Sequence, residues 1–167
     1  MSTTHSILDR LTTAHRDRLM ALSTPVAFPA GTRIFDADRT AERFWVLDRG
    51  EVTLDLHVPG RQAAMVQTVA AGELLGWSWL FPPFRWQLGA QAHTAVQATE
   101  FPAAAVRDLC SADPGLGHEF VLLCAAVIGG RLHSTRTRLL DLYGPYGVTH
   151  GASVPVGGPD DDIGPRN

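Results

Sequence analysis

The chain opens on a helical pattern. Ile7, Leu8, Leu11, Leu19 and Leu22 recur at helical spacing behind Ser6, a candidate N-cap. This predicts one amphipathic helix, or a pair of short ones, over residues 5–22. From Pro25 the period changes to two. PVAF leads into a turn at Pro29-Ala30-Gly31, then TRIFD, a polar loop ADRTAE, RFWVL and a turn at Asp48-Arg49-Gly50. In EVTLDLHV, Val52, Leu54, Leu56 and Val58 alternate with Thr53, Asp55 and His57, the pattern of a strand with one face buried. AMVQTVA follows, and GAQAHTAVQATEF reads as one or two more strands. Short strands with Gly/Pro punctuation predict an antiparallel sandwich or barrel over residues 24–101.

The helical period returns at residue 102. AAAVRDLC predicts a short helix, and Asp113-Pro114 offers an N-cap followed by proline at the first helical position. Leu116, Phe120, Leu123, Val127, Leu132, Leu139 and Leu142 then line a helix about 45 Å long if it is continuous. Gly129-Gly130 in its middle costs about 1 kcal/mol per glycine against alanine. A weak point, or a close backbone approach, is therefore expected there. The barrel is too small to cover the whole apolar stripe. Self-association as a homodimer through residues 113–142 is the expectation; a helix folded back, or broken at the glycines, is the alternative. Residues 144–167 are rich in Gly, Pro and Asp, and are expected to be a disordered or loose tail behind one domain over 1–143.

Composition narrows the class. A 167-residue chain that is 45% hydrophobic can bury one sizeable core, and a net charge of -3 creates no overall basic field for nucleic acid. Cys110 and Cys124 form no CxxC pair and have no histidine at ligand spacing, which fits buried, reduced thiols in the cytoplasm. No continuous apolar run nears about 18 residues, so no membrane span is expected, and the N-terminus lacks the order of a signal peptide. The seven histidines are scattered without an HxH pair, and no Ser, Cys or Thr pairs readably with one. No metal, cofactor or enzymatic centre is expected.

Helix, eight or so short strands, short helix and long helix form a familiar order. With FPAGTRIF, FWVLDRGEV, VAAGELLG and TRTRLLDLYG in sequence, residues 6–143 resemble a cyclic nucleotide-binding domain of the catabolite activator type. The resemblance implies a mainly β fold: a double-stranded β-helix (jelly-roll) barrel with an N-terminal helix and a long C-terminal helix. It also implies a ligand cassette between two strands, in which a short helix opens with Gly-Glu and closes with an arginine. A helix N-terminus and an arginine suit a cyclic phosphate. Carried over, Gly72-Glu73-Leu74 is the opening, Glu73 the ribose acceptor and Arg85 the phosphate partner. Thr135 is the base contact, with Arg136 beside it.

The residues depart from the family in the cassette. Counted back from QAHTAV, the arginine position falls on Trp86, and Trp77, Trp79, Pro82 and Pro83 are foreign to it. Arg85 could turn inward, or it could face solvent while Trp86 fills the pocket. Glu73 could instead cap the short helix, and the aromatics could simply be core. Two functions follow. The first is a stand-alone sensor that binds cAMP, cGMP or a related anion and signals through its long helix to a separate effector protein. The second is an interaction module of the same fold whose pocket is filled by aromatics. No recognition helix or basic cluster follows the long helix, so direct DNA binding is not expected.

Overall fold

The computed structural model describes residues 5–143. A 3-10 helix (Ile7–Arg10) and α1 (Thr13–Met20) come first, so the N-terminal pattern forms a pair of short helices. Then come β1 (Thr24–Phe28), β2 (Arg33–Phe35), β3 (Arg43–Arg49), β4 (Val52–Leu56), β5 (Ala64–Val69), β6 (Leu74–Leu75), β7 (Gly89–Ala92) and β8 (Val96–Pro102). The last helices are α2 (Ala103–Ala112) and α3 (Pro114–Tyr143). The strands form two antiparallel sheets, ordered β1-β8-β3-β6 and β2-β7-β4-β5. This is the jelly roll the resemblance implied. The chain divides into two units, Met1–Arg131 and Leu132–Asn167, and the division falls inside α3, just past Gly129-Gly130.

β3 decides the layering of the first unit. Phe44, Trp45, Val46 and Leu47 are all buried, so both faces of the strand are covered. Side chains alternate across a strand, and the aromatics accordingly sort into two layers. On one face Phe44 stacks on Trp79 at 4.3 Å and on Phe101 at 4.9 Å, with Phe120 of α3 at 5.9 Å. On the other, inside the barrel, Trp45 meets Phe28, Phe35 and Trp86 at 6.3, 5.7 and 6.1 Å. Each such pair adds about 0.5–1.5 kcal/mol beyond the area it buries.

Three features depart from the strand and helix patterns. In β4 the alternation breaks: Asp55 is buried and Leu56 exposed. The register against β7 is unbroken and the extra residue opposite Leu54 and Asp55 lies on β5, at Val66, so the cover of Arg33, not a slip of β4, buries Asp55. The buried Asp55 carboxylate accepts from both Nη1 and Nη2 of Arg33, the latter at 2.9 Å. The pair raises the Arg33 pKa further above its ordinary value. Second, α3 is continuous through Gly129-Gly130, and a Cβ at either glycine would meet nothing within 4 Å, so no close approach explains them. Third, α3 is long and apolar enough, by length and composition alone, to cross a membrane. Glu119 and Arg131 interrupt its apolar residues. Such a helix is weak evidence of a span, and its first half packs as a core helix through Leu116, Phe120, Leu123 and Cys124.

The start of α3 is fixed by local chemistry. Asp113 accepts from the Leu116 amide at 3.2 Å through its side chain and from the Gly117 amide at 2.9 Å through its carbonyl. Gly117 permits the tight α2–α3 joint, since a Cβ there would lie 2.6 Å from the Cys110 carbonyl oxygen. Glu119 accepts from the Thr12 amide at 2.8 Å and pairs with His15, and Arg18 pairs with Asp113. These bonds tie α1 to α3.

Candidate ligand site

The cassette begins where β5 turns into β6. Gly72 has φ +87, a conformation that suits glycine. Its amide donates to the Leu47 carbonyl at 2.6 Å, and its carbonyl accepts from Ile7 at 2.8 Å. Glu73 turns back on this loop: its carboxylate accepts from the Ala70 amide at 2.9 Å, and its side chain is exposed. Leu74 is buried and pairs with Val46 of β3. The opening triplet therefore builds the turn, and Glu73 caps a loop rather than a helix.

No helix forms between Gly76 and Leu88, where the resemblance implied one. The path instead runs through turns at Trp77–Leu80 and Phe81–Phe84. Arg107 of α2 holds this path: it donates to the Trp79 carbonyl at 2.7 Å and lies 4.3 Å above the Phe84 ring. Five large side chains divide between distinct surroundings. Trp79 joins the outer aromatic layer, Trp86 the barrel interior, Trp77 packs with Phe81 at 5.6 Å, and Phe84 lies under Arg107.

The orientations of Arg85 and Trp86 follow from one short backbone pairing. The segment 38–41 bridges 84–86: Asp38 donates to the Trp86 carbonyl at 2.8 Å, Trp86 to Arg39 at 2.9 Å, and Ala41 to Phe84 at 2.7 Å. Neighbouring side chains in an extended pair point to opposite sides. Trp86 points inward, 4% exposed and stacked on Phe35 at 4.0 Å. Arg85 therefore points outward, where it is exposed and donates to the Asp38 carbonyl at 2.7 Å. Of the two orientations left open by the sequence, the structure has the second.

A different cation meets the cassette. Arg131, from α3, donates to the carbonyl of Leu74. It lines a cavity of about 30 Å³ with Phe35, Leu54, Trp77, Trp86 and Leu88, while Ser78 and Gln87 supply neutral polar groups. Burial lowers the Arg131 pKa from its ordinary value, and the nearby charge of Glu73 partly offsets this. Trp86 sits over Gly76 so closely that a Cβ there would lie 2.6 Å from the ring. Thr135 and Arg136 belong to the second unit, where both are exposed. Among the described residues, no group of three or more His, Cys, Asp or Glu could hold a metal ion.

Sequence reasoning missed Arg131 although a signal was present. Leu116, Phe120, Cys124 and Val127 descend one face of α3 at helical spacing, and Arg131 is the next position on that face. A charge that continues a buried stripe is a candidate for a cavity wall.

Comparison with known proteins agrees with this architecture. The sequence profile of the cyclic nucleotide-binding domain matches residues 25–113, more than half of the chain. The chain belongs to the cyclic nucleotide-binding domain family. Among solved structures, this domain is similar to a cyclic nucleotide-binding domain of Methylobacillus flagellatus KT. The TM-score is 0.74 at 15% identity, covering 81% of this chain and 79% of that one. It is also similar to a Geobacter metallireducens GS-15 protein assigned to cyclic nucleotide binding (TM-score 0.69, 24% identity, 80% of this chain and 100% of that one). A third is the catabolite activator protein of Thermus thermophilus, with a TM-score of 0.65 and 22% identity over 83% of this chain and 63% of that one. At these identities the likeness is one of fold. No curated protein matches the sequence.

Proposed function

We propose that this domain is a sensor for a small anionic ligand, cyclic nucleotides being the family's class. Its charge-reading group is Arg131 rather than Arg85. The observation that carries this reading is a guanidinium brought from α3 into an apolar cavity beneath the cassette, on the Leu74 carbonyl. An anion there exchanges a neutral acceptor for a charged one, and charge-assisted bonds are roughly twice as strong. Arg131 is the last residue of the first unit. A ligand that moves it acts on the helix leading into the second, next to two glycines that leave the backbone soft. Binding must favour one helix position over another for this to signal. In this reading the domain is regulatory and without catalysis, lies in the cytoplasm, and hands its output to a separate effector protein.

Calorimetric titration with cAMP and cGMP, on the wild-type protein, Arg131→Gln and Arg85→Ala, tests the assignment. Affinity should fall with Arg131→Gln and stay level with Arg85→Ala; the reverse order would refute it. Hydrogen exchange along residues 122–143 should respond to the bound ligand. The exposed apolar side chains of α3, Val121 and Leu122 in the first unit and Leu139, Leu140 and Leu142 in the second, support a homodimer through residues 113–142. Sedimentation of the wild type against Leu139→Glu/Leu142→Glu measures that directly.

A specific observation favours a second reading, an interaction module with a filled pocket. Trp86 occupies the barrel interior, and the cavity it shares with Arg131 holds about 30 Å³, whereas small-molecule sites hold about 300–1,000 Å³. Silence toward every anion tested, together with capture of a protein partner by the Trp77–Phe81 face, would establish that reading instead.

A further inference from the structure

The cavity's own chemistry narrows the ligand. Cyclic nucleotides bring a sugar diol, a phosphate and a purine. For the diol, no carboxylate lines the cavity, and Glu73 is held by the Ala70 amide at 2.9 Å. For the phosphate, no helix N-terminus stands in the cassette between Gly76 and Leu88. For the purine, the room is missing. About 30 Å³ accommodates one or two waters, about a tenth of the smallest ordinary ligand site.

Something must yield for any ligand to enter, and the two obstacles differ in stiffness. Trp86 is clamped through its own amide and carbonyl, stacked on Phe35 and seated on Gly76. Arg131 hangs on a long flexible stem and, at its tip, donates to the Leu74 carbonyl. The side chain that gives way is Arg131. What then opens is a hollow beside one aromatic wall, the stacked pair Phe35 and Trp86, with Leu54 and Leu88 as aliphatic lining and one forked cation, Arg131. An apolar body gains from this lining, and a single carboxylate matches the fork in two parallel bonds.

We propose that the site takes a small, flat aromatic monocarboxylate, which draws the Arg131 guanidinium off the Leu74 carbonyl and lays its ring against Phe35 and Trp86. This rests on the sensor reading above and names its ligand class. The ring replaces the Arg131 stem in the hollow, and the guanidinium closes over the carboxylate.

The test uses the full chain and follows tryptophan emission and melting temperature. Phenylacetate and benzoate are titrated beside their neutral amides and beside cAMP and cGMP. The acids should bind and quench emission. The amides should bind about 10–100-fold more weakly, and Arg131→Gln should weaken the acids by a similar factor. Arg131→Lys should retain part of the affinity, and Arg85→Gln should change nothing. If cyclic nucleotides bind through Arg131 and the acids do not, the sensor reading stands and this ligand class falls. If neither class binds at millimolar concentration, both fall. If the acids and amides bind alike, or Arg131→Gln leaves the acids unchanged in a protein of unaltered melting temperature, the charge has no part and the proposal is overturned.

Discussion

Gly76→Ala measures how firmly Trp86 is held, on which the shape of the cavity depends. Gly76 has φ +86, and an L-residue in the left-handed region costs about 1–2 kcal/mol. The new Cβ would also lie 2.6 Å from Cζ3 and 2.7 Å from Cη2 of Trp86. Those are atoms of a rigid ring, pinned by its backbone to Arg39 and Asp38 and stacked on Phe35. Overpacking of this kind costs about 1–3 kcal/mol, so the substitution should cost about 2–5 kcal/mol in all. Gly31 supplies the control. Its φ is +85, and a Cβ there meets nothing within 4 Å, so Gly31→Ala should show the backbone cost alone, about 1–2 kcal/mol. Urea unfolding of the three proteins, with unchanged slopes, gives the difference. Trp86→Leu placed on Gly76→Ala should recover the overlap, a coupling expected only of groups in contact. Equal costs at positions 76 and 31 would mean that the ring steps aside freely. Trp86 would then be no fixed wall, and the inference that Arg131 is the group that yields would lose its footing.

Other consequences are smaller but direct. Asp55→Asn removes the charge from the Arg33 fork; with Arg33 more than a third exposed the loss is discounted to about 1–2 kcal/mol, read from the urea midpoint. Pairing with His15 lowers the Glu119 pKa, and the Leu116 amide lowers that of Asp113. A carboxylate with a depressed folded-state pKa contributes fully above its unfolded value and loses that contribution as pH falls through the folded one. Stability should therefore drop below about pH 4, and Glu119→Gln should flatten that drop in melting temperature against pH. Burial pushes the Cys124 thiol up to about 12 and raises that of Cys110 as well. Both should resist iodoacetamide at neutral pH in the folded protein and react in urea; rapid native labelling of Cys124 would contradict its place in the core.

Much of the frame was legible because it is periodic. The change from a spacing of four to a spacing of two and back placed the strands and helices. Proline and glycine marked the turns, and Asp113-Pro114 announced the start of α3. Legibility failed where a partner distant in sequence decides whether a side chain is buried. Arg33, from β2, covers Asp55 and buries it, and no pattern in EVTLDLHV foretold that. The phasing of Arg85 and Trp86 was the same problem. Two adjacent residues in an extended pair must face apart, yet which faced inward depended on the bridge to 38–41, some 45 positions away.

Local order, then, was settled by the chain itself, since hydrophobic spacing, caps and turn residues act within a few positions. It determined the elements, their succession, and a barrel followed by a long helix. The site was settled only by folding, because its walls come from β2, β4, the cassette and α3, and its cation lies 57 residues from the carbonyl it holds. A charge is read by whatever reaches it in space. Sequence spacing measures that distance along a helix or a strand and loses it across a barrel.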